Sequence, residues 1–430
     1  MTLHKPHRID RRALLARSAA AAVFAGFLPG QALAGQASPS PEAGGDATGK
    51  LVAGNTAFAL DLYREFRQER DGNIVFSPLS VSLALAMVFA GARGDTADQM
   101  AQVLGVPGSE TPAVFQALTS DLMARGNAGD DRGDAELRIA NALWGEQSFP
   151  FSDAFVNELE TSYDAGLRLA DFMGDPEAAR REINDWVADQ TDDHIEEIVP
   201  EGVIDQQTRL VLANAIFFAS TWRTTFDIDD TEDDAFHLAD GATVKTPFMV
   251  QTAQFPYHQG DRARVVELPY AVDGFAMTII LPDEGQFDAV EDDLDVDALG
   301  RMADALEASR VEVHLPKFEF NLGESLIDML ESLGMTDAFD AERADLGGMI
   351  DDGVDAHLVI SAVLHEAFVS IDEEGTEAAA STVAGISVTS APLPDETTTL
   401  RIDRPFLFAI RDTVTGTVLF LGRVMDPSGE

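Results

Sequence analysis

Residues 372–396 read DEEGTEAAASTVAGISVTSAPLPDE, and everything from Ala378 to Pro394 is uncharged and mostly small, in a chain that contains 75 Asp and Glu residues. A packed core is built of larger side chains, because burial of apolar area is what stabilises it. A linker holds more Gly, Pro and charge, the compositions that keep a segment solvated. The stretch matches neither pattern, so its use has to be sought in the rest of the chain.

The chain has 430 residues, 45% of them hydrophobic and 24% charged. That composition supplies ample core for one large domain or two smaller ones. The formal charge is −46, and because residues 1–34 are net basic the remainder is more acidic still. Nucleic acid and anionic membrane are poor partners for such a surface. The acid is spread in clusters (Asp192–Asp193, Asp227–Asp234, Glu291–Asp297) rather than gathered in a tail, and reads as solvation for a salty medium. The absence of Cys excludes disulfides, thiol catalysis and thiolate metal sites.

Residues 1–34 have a basic start, an apolar run from Ala19 to Leu28 and the small-residue site Ala32-Leu33-Ala34, which is the grammar of a signal peptide. Arg11-Arg12 followed by Ala13-Leu14-Leu15 adds twin-arginine export as one reading, with an ordinary signal and a chance Arg pair as the other. The expected location is extracellular or periplasmic. Residues 35–50, rich in Gly, Pro, Ser and Ala, read as a disordered leader. The longest other apolar run, Val81–Ala92, is about a dozen residues against roughly 20 needed to span a membrane.

In the body, Leu51, Phe58, Leu62 and Phe66 recur at helical spacing. In NIVFSPLSVSLALAMVFAGARG, Ser77 can cap a helix that Pro78 begins and Gly91 or Gly94 ends. That helix is apolar all round and so belongs at the centre of the fold. FSDAFVNELETSY and AARREINDWVADQT read as amphipathic helices. Arg209–Trp222, RLVLANAIFFASTW, reads as a central strand covered on both faces. More strands follow in ARVVELPY, FAMTIILP, VEVHLPKFEF, AHLVISAVLHEAFVSIDE, RPFLFAI and TVLFLGRVMDP. Helices first and strands later predict an α+β fold with large sheets rather than a βαβ alternation.

Catalytic signatures are missing. No G-x-S-x-G and no H-E-x-x-H occurs. DDLDVDALG alternates carboxylates as a calcium loop does, but Ala298 stands where the sharp-turn Gly is required, so it reads as a solvated acidic turn. No metal and no cofactor is expected.

SIDEEGTEAAAST, residues 370–382, closely resembles the hinge of the serpin reactive loop. NIVFSPLSVSLALAMVFAGARGDT, LVLANAIFFASTW, VVELPY, VEVHLPKFEF and IDRPFLFAIRDTVTGTVLFLGRVMDP are similar to further serpin signatures, in serpin order, over about Lys50 to Pro427. The resemblance implies one domain, residues 51–427, with three β-sheets, eight to nine helices and a reactive loop over 373–400. It implies no enzyme but a suicide inhibitor, a monomer that forms a covalent acyl complex with a serine protease. The cut loop then inserts into the central sheet as an extra strand, a transition for which this family is itself a standard example.

The loop's own chemistry suits that fate. As an inserted strand, Thr376, Ala378, Ala380, Thr382, Ala384 and Ile386 share one face, all uncharged. Glu377, Ala379, Ser381, Val383, Gly385 and Ser387 share the other, which places the only charge toward solvent. An unpaired Glu on the first face would cost several kcal/mol. No Pro lies between Thr376 and Ser390, so each residue can donate to a ladder. Gly375 is expected at the pivot, where freedom from a Cβ lets the chain turn. About 14 residues at roughly 3.3 Å each reach some 46 Å, near the ~50 Å diameter of such a domain.

By the resemblance, Glu373 begins the hinge and the scissile bond falls at Thr389-Ser390, within one or two residues. Ile386, Ser387, Val388 and Ala391 then form the surface offered to the target. No Lys or Arg occurs from Thr376 to Leu400, and trypsin-like pockets need a cation, so elastase-like or subtilisin-like proteases are the expected targets. Ser77, Ser80, Asn214 and His365 match the family's polar cluster where the sheet parts. Trp222, Lys317 and Glu373 match the region where the loop first enters. Other readings stay open: a non-inhibitory serpin acting as a binding or chaperone-like protein, inhibition of cysteine proteases by the same loop, and a secreted hydrolase with an unrecognised site.

Overall fold

The computed structural model describes residues 41–106, 111–127, 135–163, 166–351, 353–354, 356–376 and 397–429, with the backbone only for 41–46 and 135. The expectations for residues 1–40 and for 377–396 lie outside the described residues. The latter include the hinge positions Glu377, Ala378, Ala379, Ala380, Ser381 and Thr382, the recognition residues Ile386, Ser387, Val388 and Ala391, and the bond Thr389-Ser390.

The chain opens with α1 (Pro41–Glu69), β1 (Ile74–Phe76), α2 (Pro78–Gly91), α3 (Gly94–Leu104), α4 (Thr111–Gly126) and β2 (Ala135–Glu146). Next come α5 (Asp153–Tyr163), β3 (Leu167–Ala170), α6 (Pro176–Gln190), β4 (Leu210–Thr221), β5 (Glu232–His237), β6 (Thr243–Gln259), β7 (Ala263–Pro269) and β8 (Phe275–Pro282). The last part holds α7 (Phe287–Asp292), α8 (Val296–Asp304), β9 (Glu307–Pro316), β10 (Phe318–Ser325) and α9 (Ile327–Ser332). It ends with β11 (Ala362–Ile371), β12 (Gly375–Thr376), β13 (Thr398–Arg401), β14 (Phe406–Asp412) and β15 (Val418–Val424).

Helix α1 begins inside the segment expected to be a disordered leader, so residues 41–50 are helical. The core anchors Leu51, Phe58, Leu62 and Phe66 are all buried, and once they nucleate the helix each added turn costs little. Helix α2 behaves as its sequence predicts. Ser77 accepts the Ser80 amide as N-cap, Pro78 occupies the first turn, and nearly every side chain is buried. The acidic turn before α8 is a helix cap, with Asp295 accepting from the Ala298 amide.

Six strands form the central sheet in the order β10-β11-β12-β4-β2-β3. Strand β4 lies inside it and is covered on both faces as expected. Leu210, Leu212, Ile216 and Phe218 enter the large core with α2, while Val211, Ala213 and Ala215 form a second layer with Ala179, Ile183 and Val187 of α6. The small residues of that second face let α6 lie close against the strands. The neighbouring strand β2 was not read from the sequence, because its Ala, Asn and charged residues carry little strand preference.

The other strands form a nine-stranded sheet, β1-β15-β14-β8-β7-β6-β9-β13, with β5 on β6. Strand β6 has 17 residues, and its first part pairs with β5 and β9 while its end pairs with β7. Two of the three expected sheets are thus hydrogen-bonded through one long strand. No helix among the described residues is long and apolar enough to cross a membrane.

Candidate functional site

Strands β4 and β11 run parallel, in register from Val211 opposite Ala362 to Ile216 opposite Ala367. Above that last pair they part, and β12 lies between them. Gly375 faces Thr221 and Thr376 faces Ser220 on β4, while Thr376 faces Ile371 on β11. Gly375 and Thr376, near the start of the stretch that opened the sequence reading, are therefore already part of the sheet.

A tight turn delivers them there. The Asp372 carboxylate accepts the amides of Glu374 at 2.9 Å and Gly375 at 3.1 Å, an Asx-type turn, and the Asp372 amide donates to the Gly375 carbonyl at 3.0 Å. The structure corrects the reason for Gly375. A Cβ there would sit 2.1 Å from the Ser220 carbonyl oxygen and 2.7 Å from Thr221 Cα, so it is close approach of the β4 backbone, not a left-handed φ, that requires glycine.

Trp222, Lys317 and Glu373 converge on this turn. The Trp222 indole N–H donates to the Asp372 carbonyl at 3.0 Å, and the amides of Trp222 and Phe226 donate to the carbonyls of Glu374 and Glu373 at 2.7 and 2.9 Å. Lys317 Nζ donates to Glu373 at 2.6 Å and Thr231 Oγ1 donates to its other oxygen at 2.9 Å. Burial works to raise the Glu373 pKa, but these donors outweigh it and hold the carboxyl below its ordinary range. Sequence reading missed Tyr270, whose ring stacks on Trp222 with centroids 4.7 Å apart and whose hydroxyl meets Thr376 Oγ1 at 2.5 Å. Burial pushes the Tyr270 phenol pKa up, so it stays neutral and the pair is a neutral hydrogen bond.

Ser77, Ser80, Asn214 and His365 meet under the closed part of the sheet. The Ser77 amide donates to His365 Nε2 at 3.0 Å, so the proton of the neutral imidazole sits on Nδ1, which donates to Asn214 Oδ1. Asn214 Nδ2 donates to Ser80 Oγ at 2.6 Å and to Asn141 Oδ1, and the Ser80 hydroxyl also donates to Asn141 Oδ1 at 3.1 Å. Desolvation lowers the His365 pKa to about 3, with the Asn214 contact acting the other way. His365 and Asn214 are register partners across the β11–β4 seam, so parting the seam breaks their bond. Asn141, on β2 opposite Asn214, is a fifth member that sequence reading missed along with its strand.

His194 was missed as well. Its ring lies between Phe217 of β4 and Phe368 of β11, centroids 5.3 Å from each and nearly parallel to both. Those two Phe residues are the first beyond the paired stretch of the seam, so the imidazole ties the strands together where they diverge. Arg138 supports it, stacked over Phe217 at 5.9 Å and paired with Asp192 at 2.9 Å. Aromatic pairs contribute roughly 0.5–1.5 kcal/mol each, so His194→Ala is expected to raise amide exchange in 216–219 and 367–370 by about tenfold. Exchange that rises evenly over the whole chain instead would give the stack no local role.

The central sheet thus parts above the Ile216–Ala367 pair to hold Gly375 and Thr376, with a polar cluster bridging the closed seam below. A sequence profile of the family described as Serpin (serine protease inhibitor) matches residues 53–427. The leukocyte elastase inhibitor of Bos taurus is 39% identical over 388 residues, 88% of this chain and 100% of that one. A serpin-like protein of Thermococcus kodakarensis is 37% identical over 379 residues, 88% and 86% of the two chains. The native structure of the thermophilic serpin tengpin superposes with a TM-score of 0.77 at 30% identity, over 88% of this chain and 94% of that one. The chain belongs to the serpin family of serine protease inhibitors.

Proposed function

We propose that this chain is a suicide inhibitor of elastase-like or subtilisin-like serine endopeptidases. The observation that carries the reading is the placement of Gly375 and Thr376 between β4 and β11, which starts a strand that the uncharged residues from Ala378 onward would continue. The target's serine oxygen attacks the Thr389 carbonyl carbon, the bond to Ser390 breaks, and the new amino terminus leaves. The ester persists because the freed strand zips into the sheet and carries the protease away before water attacks.

Support comes from the small, proline-free hinge and from a seam bridged by a few hydrogen bonds and one stacked ring rather than by continuous large side chains. The basic, apolar leader supports export by a signal peptide over residues 1–34, and the inhibitor is proposed to act as a monomer outside the cytoplasm.

The test mixes the mature protein, in salt that keeps it folded, with elastase, subtilisin and trypsin on denaturing gels. A boil-resistant band at the summed mass is expected with elastase or subtilisin, with the released peptide beginning near Ser390. Trapping of trypsin alone, or clean cleavage with no band and no gain in thermal stability of the cut protein, would refute the reading.

A further inference from the structure

The loop after α6 sets one ring in place through an unusual backbone. Thr191 closes the helix, its hydroxyl donating to the Val187 carbonyl at 2.9 Å and accepting from the Ile195 amide at 3.2 Å. Asp192 and Asp193 then take φ values of 49° and 65°, and among the described residues they are the only non-glycine positions with positive φ. Left-handed backbone is disfavoured for an L residue, and two in succession are rare. The Asp193 amide donates back to the Ala188 carbonyl at 2.9 Å and the His194 amide to the Thr191 carbonyl at 3.0 Å. This turn delivers the His194 ring between Phe217 and Phe368.

The spacing of that stack matches the width of a strand. Phe217 and Phe368 follow the last paired residues of the seam, Ile216 and Ala367, and in a continued pair their strands would lie about 4.8 Å apart. The imidazole lies nearly parallel to both phenyl rings and 5.3 Å from each, so the two phenyls stand about twice that distance apart. Two strands that flank a third are separated by roughly 9.6 Å. The gap at this level therefore already has the width of an occupied one.

Carried on from Thr376, which faces Ser220 and Ile371, the strand register sets position 379 opposite both Phe217 and Phe368, on the face they share. Residue 379 is Ala, and its methyl ends at Cβ, beneath the level at which the three rings meet. We propose that His194 is a positioning residue for strand entry: it holds β4 and β11 at the width of a strand and stays stacked above Ala379 once the strand is in. Entry at this level then neither parts the strands nor expels the imidazole. Without the ring the two strands are loose, and only the fraction of molecules with the right gap can accept a residue. A branched side chain at 379 reaches the ring and collides with it. A gap set in advance favours insertion over hydrolysis of the acyl-enzyme; only that consequence rests on the inhibitory function proposed above.

The test supplies the strand separately. A fluorophore-labelled peptide of residues 377–389 is added to the mature uncut chain, and its incorporation is followed by anisotropy. His194→Ala, which loses two ring contacts, is expected to slow incorporation about tenfold, whereas His194→Phe, which stacks as well, keeps the rate within about twofold. The Ala379→Leu peptide is expected to be excluded from the unaltered chain and to enter His194→Ala as readily as the original peptide does. Failure of the original peptide to enter the unaltered chain, equal or faster entry into His194→Ala, or a Leu penalty that persists without the imidazole overturns the positioning role. The yield of boil-resistant protease complex is measured alongside. A fall in His194→Ala that His194→Phe restores supports a part in trapping, and an unchanged yield overturns that part. Absence of any complex from the unaltered chain, with the peptide results as expected, would count against the inhibitory function while leaving the positioning role intact.

Discussion

On the proposed inhibitory mechanism, Thr376→Arg is expected to turn the protein from a trap into an ordinary substrate. The Thr376 side chain is buried between β4 and β11, 3% exposed, and its hydroxyl is spent on the fully buried Tyr270. A guanidinium cannot shed its proton to fit there, and an uncompensated charge in such a place costs about 3–5 kcal/mol. Because Thr376 already lies in the sheet, the charge expels this first pair from between the strands, and insertion must then bury it anew in competition with hydrolysis of the acyl-enzyme. At about 1.4 kcal/mol per tenfold in rate, insertion slows by roughly two to four orders of magnitude and hydrolysis wins. The expected gel shows cleavage at an unchanged rate and no boil-resistant band, whereas Thr376→Ser, which keeps the hydroxyl, retains it. A full yield of complex from the Arg variant would mean that insertion does not begin at Thr376.

The native fold weakens with acid well before most carboxylates titrate. His365 has a folded value of about 3 against about 6.5 unfolded. Its contribution is complete above pH 6.5, and below that the unfolded chain takes up a proton that the native chain refuses. Stability then falls by up to about 1.4 kcal/mol per pH unit, reaching a loss of about 2 kcal/mol at pH 5. Neighbouring Glu366, pushed up by burial, acts in the opposite sense above its ordinary range, so the comparison must be internal. His365→Gln keeps an acceptor for the Ser77 amide and a donor for Asn214 without the titration. Denaturant unfolding at pH 7 and pH 5 is expected to show the loss in the unaltered chain and not in the Gln variant. Equal losses in both would place the acid sensitivity elsewhere.

Much of this architecture was legible in one dimension. Ser77 and Pro78 announced the start of α2, and the largely apolar run Arg209–Trp222 announced a strand with no solvent face, because both signals depend only on residues adjacent in sequence. The meeting of Ser77, Ser80, Asn214 and His365, and of Lys317 with Glu373, was legible only through resemblance, since nothing local relates Ser77 to His365. Asn141, Tyr270 and His194 escaped because each lies on a segment with ordinary local chemistry and acts through neighbours far away in the chain.

The sequence by itself determined that residues 378–389 have the character of a buried strand, since charge, size and the lack of proline are properties of the residues alone. Only the tertiary structure decided that Gly375 is needed for backbone contact with Ser220, that one imidazole bridges the parting strands, and that Asn141 of β2 pairs with Asn214 beneath the seam. Those facts depend on distances across strand pairs and on which hydrogen-bonding atom is already engaged, and such distances are defined only after the chain has closed on itself.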